Sequence, residues 1–217
     1  MNALMTTRSM VQPLPSVLDA PPAFTLLRRR KTIGEFRPAS ADLERFNQLL
    51  ARLGRNGPLA IDQLATAARQ LSSGTDDNAP GCIAQRISWL ESVAEMVSDP
   101  AWRVAANVDD CARLVAGYAA DTHDLIPDWL PRVGRLDDAI VADTAWPTLH
   151  REVACYRDFL RLHALEAGLR GRHPAELPFD RAAWESARDA EAALIAHRRR
   201  VRESSYVPAT APMFRIH

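Results

Sequence analysis

Residues 118–139 read YAADTHDLIPDWLPRVGRLDDA. Upstream of them Val104, Cys111, Val115 and Tyr118 recur on one helical face, and downstream Leu149, Val153, Tyr156, Leu160 and His163 do the same. Between the two, Pro127, Pro131 and Gly134 break the period. Proline has no amide hydrogen to give a helix, and glycine suits a backbone that must turn into the left-handed region. The stretch therefore predicts a tight connection, with at most a short helical turn, that joins two helices into a hairpin over 118–145. Periodicity resumes at Asp137, and Pro147 predicts a restart or a kink in the second helix.

Nearer the N-terminus, Leu43, Phe46, Leu50 and Leu53 share a face, with Ser40 as cap and Gly54 as stop; Ile61, Leu64, Ala68 and Leu71 repeat the pattern. After a loop at 72–81, Ile83, Ile87, Leu90, Ala94 and Val97 form a third stripe. Asp99 followed by Pro100 predicts a helix start. A last helix is expected from an Asp180 cap through Trp184, Ala187, Leu194 and Val201. No window alternates with period two and no internal repeat is present. The expected class is all-α, six to seven helices in an irregular bundle: a disordered arm over 1–38, rich in scattered prolines, one helical domain over 39–203, and a tail over 204–217.

With 217 residues and 47% hydrophobic content the chain can bury a substantial core. Its 27 basic and 27 acidic residues leave no overall field to draw it to nucleic acid or an anionic membrane. Charge is segregated, however: net +2 over 1–98, −5 over 99–143 and +3 over 144–217. Lys31 is the sole lysine, and the arginine and alanine usage suggests a GC-rich bacterial genome. Cys82, Cys111 and Cys155 are odd in number and far apart, which reads as reduced intracellular thiols. The first 24 residues lack the apolar run of a signal peptide, and the most apolar stretch, 114–120, falls far short of the ~20 residues a spanning helix needs. A cytoplasmic protein is expected, with a peripheral place at the inner membrane as the alternative.

Asp124-Leu125-Ile126-Pro127-Asp128, Pro131, Gly134 and Leu136-Asp137-Asp138 resemble, in order and spacing, the signature of the YkvA-like family, a bacterial domain of unknown function (number 1232). The resemblance is tight over 118–139 and looser over about 100–165. It implies two helices flanking a short proline-containing turn, and it brings no settled activity. The chain departs from the family pattern at Thr122, where a proline is usual, and at Arg132 and Arg135, where relatives are more apolar.

Asp121, His123, Asp124, Asp128, Asp137 and Asp138 place five carboxylates and an imidazole within eighteen positions. Such oxygen-rich sets suit magnesium, manganese or calcium, and a cation held by converging aspartates could polarise a phosphoryl group or activate water. The structural reading takes precedence. Aspartate is favoured at helix starts, so Asp124 is expected to cap the turn containing Pro127 and Asp137 to cap the helix through Ala139 and Ile140. Gly134 then supplies a left-handed position, while Leu125, Ile126, Trp129 and Leu130 plug the space between the helices. Trp89, Trp102, Trp146 and Trp184 are further core candidates.

Elsewhere the signals are weaker. The basic run at 28–31 reads as solvated, with phosphate contact as its alternative. The arginines at 198–200 and 202, beside His197, oppose the negative end of the last helix's dipole. His150 with Glu152, His163 with Glu166 and His173 with Glu176 do not form H-E-x-x-H, and the phosphate-loop, dinucleotide and nucleophile-elbow motifs are absent. The leading expectation is a non-enzymatic helical module without a cofactor. Its hairpin surface, with Trp129, Leu130, Arg132 and Arg135 as candidates, meets a partner protein or a membrane surface, and no sequence-specific nucleic acid is expected. The alternatives are a magnesium- or manganese-dependent hydrolase of phosphate esters using the aspartates, and an exported bacterial effector whose arm carries a secretion signal.

Overall fold

A computed structural model describes residues 11–20, 31–73, 78–121 and 124–205. Among them the class is all-α, with six α-helices and no sheet: α1 (Ser40–Arg52), α2 (Ile61–Leu71), α3 (Gly81–Ser98), α4 (Asp109–Ala120), α5 (Leu136–Leu169) and α6 (Arg181–Ser205). Single turns of 3-10 helix lie at Ser16–Leu18 and Pro174–Glu176. The chain divides into two compact units, 1–154 and 155–217.

In the first unit the apolar stripes form the core, with Phe46, Leu50, Leu64, Ala68, Ile83, Leu90, Met96, Val115, Ile140 and Leu149 all buried. α1 stops where Gly54 adopts a φ of 97°, which lets the Arg55 amide donate back to the Leu50 carbonyl at 2.9 Å. Its first turn has no side-chain cap: Ala39, not Ser40, stands at that position. The Asn47 side chain then closes the loop to α2, pairing with both the carbonyl and the amide of Leu59 at 3.0 and 2.8 Å. α3 and α5 are tied by Trp89 stacked on Trp146, ring centroids 4.3 Å apart, and by the buried Arg86, whose guanidinium donates to Asp143 at 2.7 Å.

Three expectations change. The arm is anchored at particular points: Leu18 and Ile33 are buried, Gln63 donates to the Val17 carbonyl at 3.1 Å, Arg55 to the Leu18 carbonyl and Arg86 to that of Gln12 at 2.7 Å. The proline-interrupted sequence lacks helical period, but main-chain carbonyls met by side-chain donors need none. Residues 1–10 and 21–30 lie outside the described residues. Next, Asp99 and Pro100 do not start a helix. Asp99 accepts the Ala101 amide at 2.9 Å, a local turn that ends in the buried Trp102, and α4 begins only at Asp109. Finally, of the two outcomes expected at Pro147, a restart or a kink, the restart does not occur: α5 runs through it as one helix.

The second unit is an aromatic cluster with a polar clamp. Phe159, His163 and Phe179 pack together, with His163 and Phe179 stacked at 5.0 Å. Asp158 accepts the Trp184 indole N–H at 2.9 Å. Arg161 bridges Asp158 and Glu191, each at 2.8 Å. Asp180 caps α6 as expected, accepting the Ala183 amide at 2.9 Å.

Candidate functional site

The hairpin turn between α4 and α5 is organised around one carboxylate. Asp137, in the first turn of α5, is 1% exposed. A single one of its oxygens accepts the Tyr118 hydroxyl at 2.7 Å and the Ile126 amide at 3.0 Å, while the Leu125 amide faces the Tyr118 oxygen in turn. Thus the end of α4, the middle of the turn and the start of α5 meet at one atom. A buried acceptor so placed holds two donors that would otherwise be orphaned, at a cost of ~1–3 kcal/mol each.

The electrostatics follow from that burial. Desolvation holds the Asp137 carboxyl up at about 7, against hydrogen bonds from Tyr118 and from the Ile126 and Asp138 amides, which favour the ionised form. The Tyr118 phenol is raised above its ordinary value by burial first and by the Asp137 charge second. Asp138 is buried too and also raised, by desolvation, with Arg135 at 3.0 Å pulling the other way and Asp124 and Asp128 adding to the rise.

The backbone of the turn closes through Leu130 N–H to the Pro127 carbonyl at 3.0 Å and Gly134 N–H to the Leu130 carbonyl at 2.9 Å. The left-handed residue is Arg132, with a φ of 65°, not Gly134. Gly134 is needed for a different reason: a Cβ there would lie 2.4 Å from the Asp128 carbonyl oxygen. Arg132 tolerates its backbone because its side chain reaches across to donate to the Leu71 carbonyl at 3.2 Å.

Of the six candidate ligands, Asp137 and Asp138 are buried, Asp124 is half-buried, and Asp121 and Asp128 are exposed. His123 lies outside the described residues. Asp137 stands inside the first turn of α5 rather than at the cap of that helix; besides the Asp138 amide it serves the turn and α4. Among the described residues no group of three or more His, Cys, Asp or Glu side chains is placed to hold a metal ion. Of the four surface candidates, Trp129 is 71% exposed, Leu130 is buried, and Arg132 and Arg135 are half-buried and engaged. Leu125 and Ile126 do plug the interior, whereas Trp129 does not. Trp89, Trp102 and Trp184 are core residues, and Trp146 is half-buried. Beside the lock, a shallow cleft of about 170 Å³ is lined by Asp42, Arg45, Phe46, Leu49, Tyr118, Asp121 and Leu125.

Sequence reasoning missed Tyr118 as the hydroxyl that fixes Asp137, and Arg86 as a buried cation. Both carried a signal. Tyr118 sits on the apolar face of α4, where a phenol must find a polar partner, and Arg86 stands three residues after Ile83 on the buried face of α3.

The molecule is an all-α protein in which the turn between α4 and α5 is locked by a buried aspartate. Residues 111–142 match the family described as "Protein of unknown function (DUF1232)", the family that the motif at 118–139 resembles. The match runs from α4 through the turn into α5, so Tyr118, Ile126 and Asp137 all fall within it. No curated protein and no solved structure matches the chain. No helix among the described residues is long and apolar enough to cross a membrane.

Proposed function

We propose that this is a non-enzymatic interaction module that offers Trp129 to an apolar pocket on a partner protein. The observation that carries the reading is Trp129 itself, 71% exposed on a turn whose other large apolar side chains, Leu125, Ile126, Leu130 and Val133, are buried. An indole held out on a closed backbone loses little further freedom on binding, and tryptophan is the residue type most enriched among dominant interface anchors. The aspartates support the same reading, since Asp137 is committed to Tyr118 and Ile126, and Asp138 to Arg135. The composition and the three thiols favour a bacterial, cytoplasmic setting.

The test is a photo-crosslinker at position 128, beside the indole, in cells holding the protein at its natural level. A single defined adduct is expected, lost in Trp129→Ala while the Tm stays unchanged. An adduct that survives Trp129→Ala removes the indole from the interface. For the hydrolase reading, millimolar magnesium, manganese or calcium is expected to leave the Tm where it is. A rise that disappears in both Asp137→Asn and Asp138→Asn would put cation chemistry first, and at 100 times the dissociation constant such a ligand stabilises by ~2.7 kcal/mol.

A further inference from the structure

α6 has two halves of different character. Its first half is anchored by the buried Trp184 and by the Arg161–Glu191 ion pair. From residue 192 to residue 203 every position is exposed. Residues 192–202 read AALIAHRRRVR, with four arginines, a histidine and no acid. Three large apolar side chains stand in water there: Leu194 at 49%, Ile195 at 62% and Val201 at 47% exposure. Arg198 and Arg202, one turn apart, line a groove with Ile195, Arg199 and Glu203.

The helix dipole accounts for part of this. Its reach is the last turn, which covers Arg202 in a helix ending at Ser205, but not Arg198 one turn earlier. It accounts for none of the exposed leucine, isoleucine and valine.

We infer that the distal half of α6 is a docking helix for an anionic lipid surface. Guanidinium groups donate to headgroup phosphates while their stems lie along the acyl boundary, and Leu194, Ile195 and Val201 enter it. The charge pattern selects this occupant over others. Nucleic acid offers the same phosphates to the arginines but leaves three aliphatic side chains in water. A second copy of the same face brings four arginines against four. The inference is independent of the Trp129 reading, because it rests on a different helix and a different unit.

The experiment is co-sedimentation of the full chain with vesicles of phosphatidylcholine alone and of phosphatidylcholine mixed with phosphatidylglycerol. Binding is expected to the mixed vesicles and not to the neutral ones, weakening with salt. Arg198→Gln with Arg202→Gln should cut it by about thirtyfold, Leu194→Ser with Ile195→Ser should cut it several-fold at constant charge, and Trp129→Ala should leave it unchanged. All these positions are exposed, so the variants should fold. Equal binding to neutral vesicles overturns the inference, as does binding that survives the arginine pair. So does retention in the serine pair together with displacement by duplex DNA, which would mark a nucleic-acid surface instead.

Discussion

The turn at 124–138 and the distal half of α6 use the same kinds of residue in opposite ways. In the turn the carboxylates of Asp137 and Asp138 are inside and the indole of Trp129 is outside. At the end of α6 charged and aliphatic side chains alike face water, and the Arg199–Glu203 pair, 2.9 Å apart, joins two exposed partners. Exposed pairs of this kind contribute ~0–1 kcal/mol, whereas a buried acceptor shared by two donors decides whether a hairpin closes. Charge and hydropathy therefore say little until burial is known: the turn uses Asp137 and Asp138 in its own structure, and distal α6 holds its polar groups in water.

The comparison breaks first at Asp137. Asp137→Ala should strand the Tyr118 hydroxyl and the Ile126 amide, and we expect a loss of about 2–4 kcal/mol in chemical denaturation. A loss below 0.5 kcal/mol, on the order of a surface change, would mean that the turn is no better tied than α6. Next comes Gly134→Ala, whose methyl meets the Asp128 backbone; about 1–3 kcal/mol is expected from overpacking. A neutral result would show that the turn yields.

A sharper comparison uses pH. Asp137 is raised from 3.8 to about 7, so between those values the folded protein keeps a proton that the unfolded chain has released. The contribution of this group to stability is full below about 4 and is lost as pH rises towards 7, with a slope of at most ~1.4 kcal/mol per pH unit. Asp137→Asn retains an oxygen for both donors, and the difference between its pH–stability curve and that of the unsubstituted protein should show this slope. Parallel curves would mean that the carboxyl is not protonated in the fold. The smallest effects belong to the exposed groups: Trp129→Ala, Leu194→Ala and Arg198→Ala should each stay within ~0.5 kcal/mol by thermal melting. A larger loss at Leu194 would show that distal α6 packs on something.

Much of the architecture was legible. The stripes ending at Gly54, running from Ile83 to Val97 and starting at the Asp180 cap all became helices, because period and punctuation are local properties. The resemblance at 118–139 marked the hairpin correctly. Illegible were the start of α4, where a strong Asp-Pro signal was satisfied by a turn, and the docking of the segment around Gln12 and Leu18, whose carbonyls are met by donors more than thirty residues away.

Every helix but for the start of α4, the place of the turn and the family match could be read from the chain, since each rests on backbone propensity or on residues close along it. Tertiary structure alone decided which aspartate is buried, which tryptophan is exposed and where the left-handed residue falls. Desolvation and hydrogen-bond partnership are set by what surrounds a group in space: Asp137 and Trp129, eight positions apart, end 1% and 71% exposed, the reverse of what their polarity suggests.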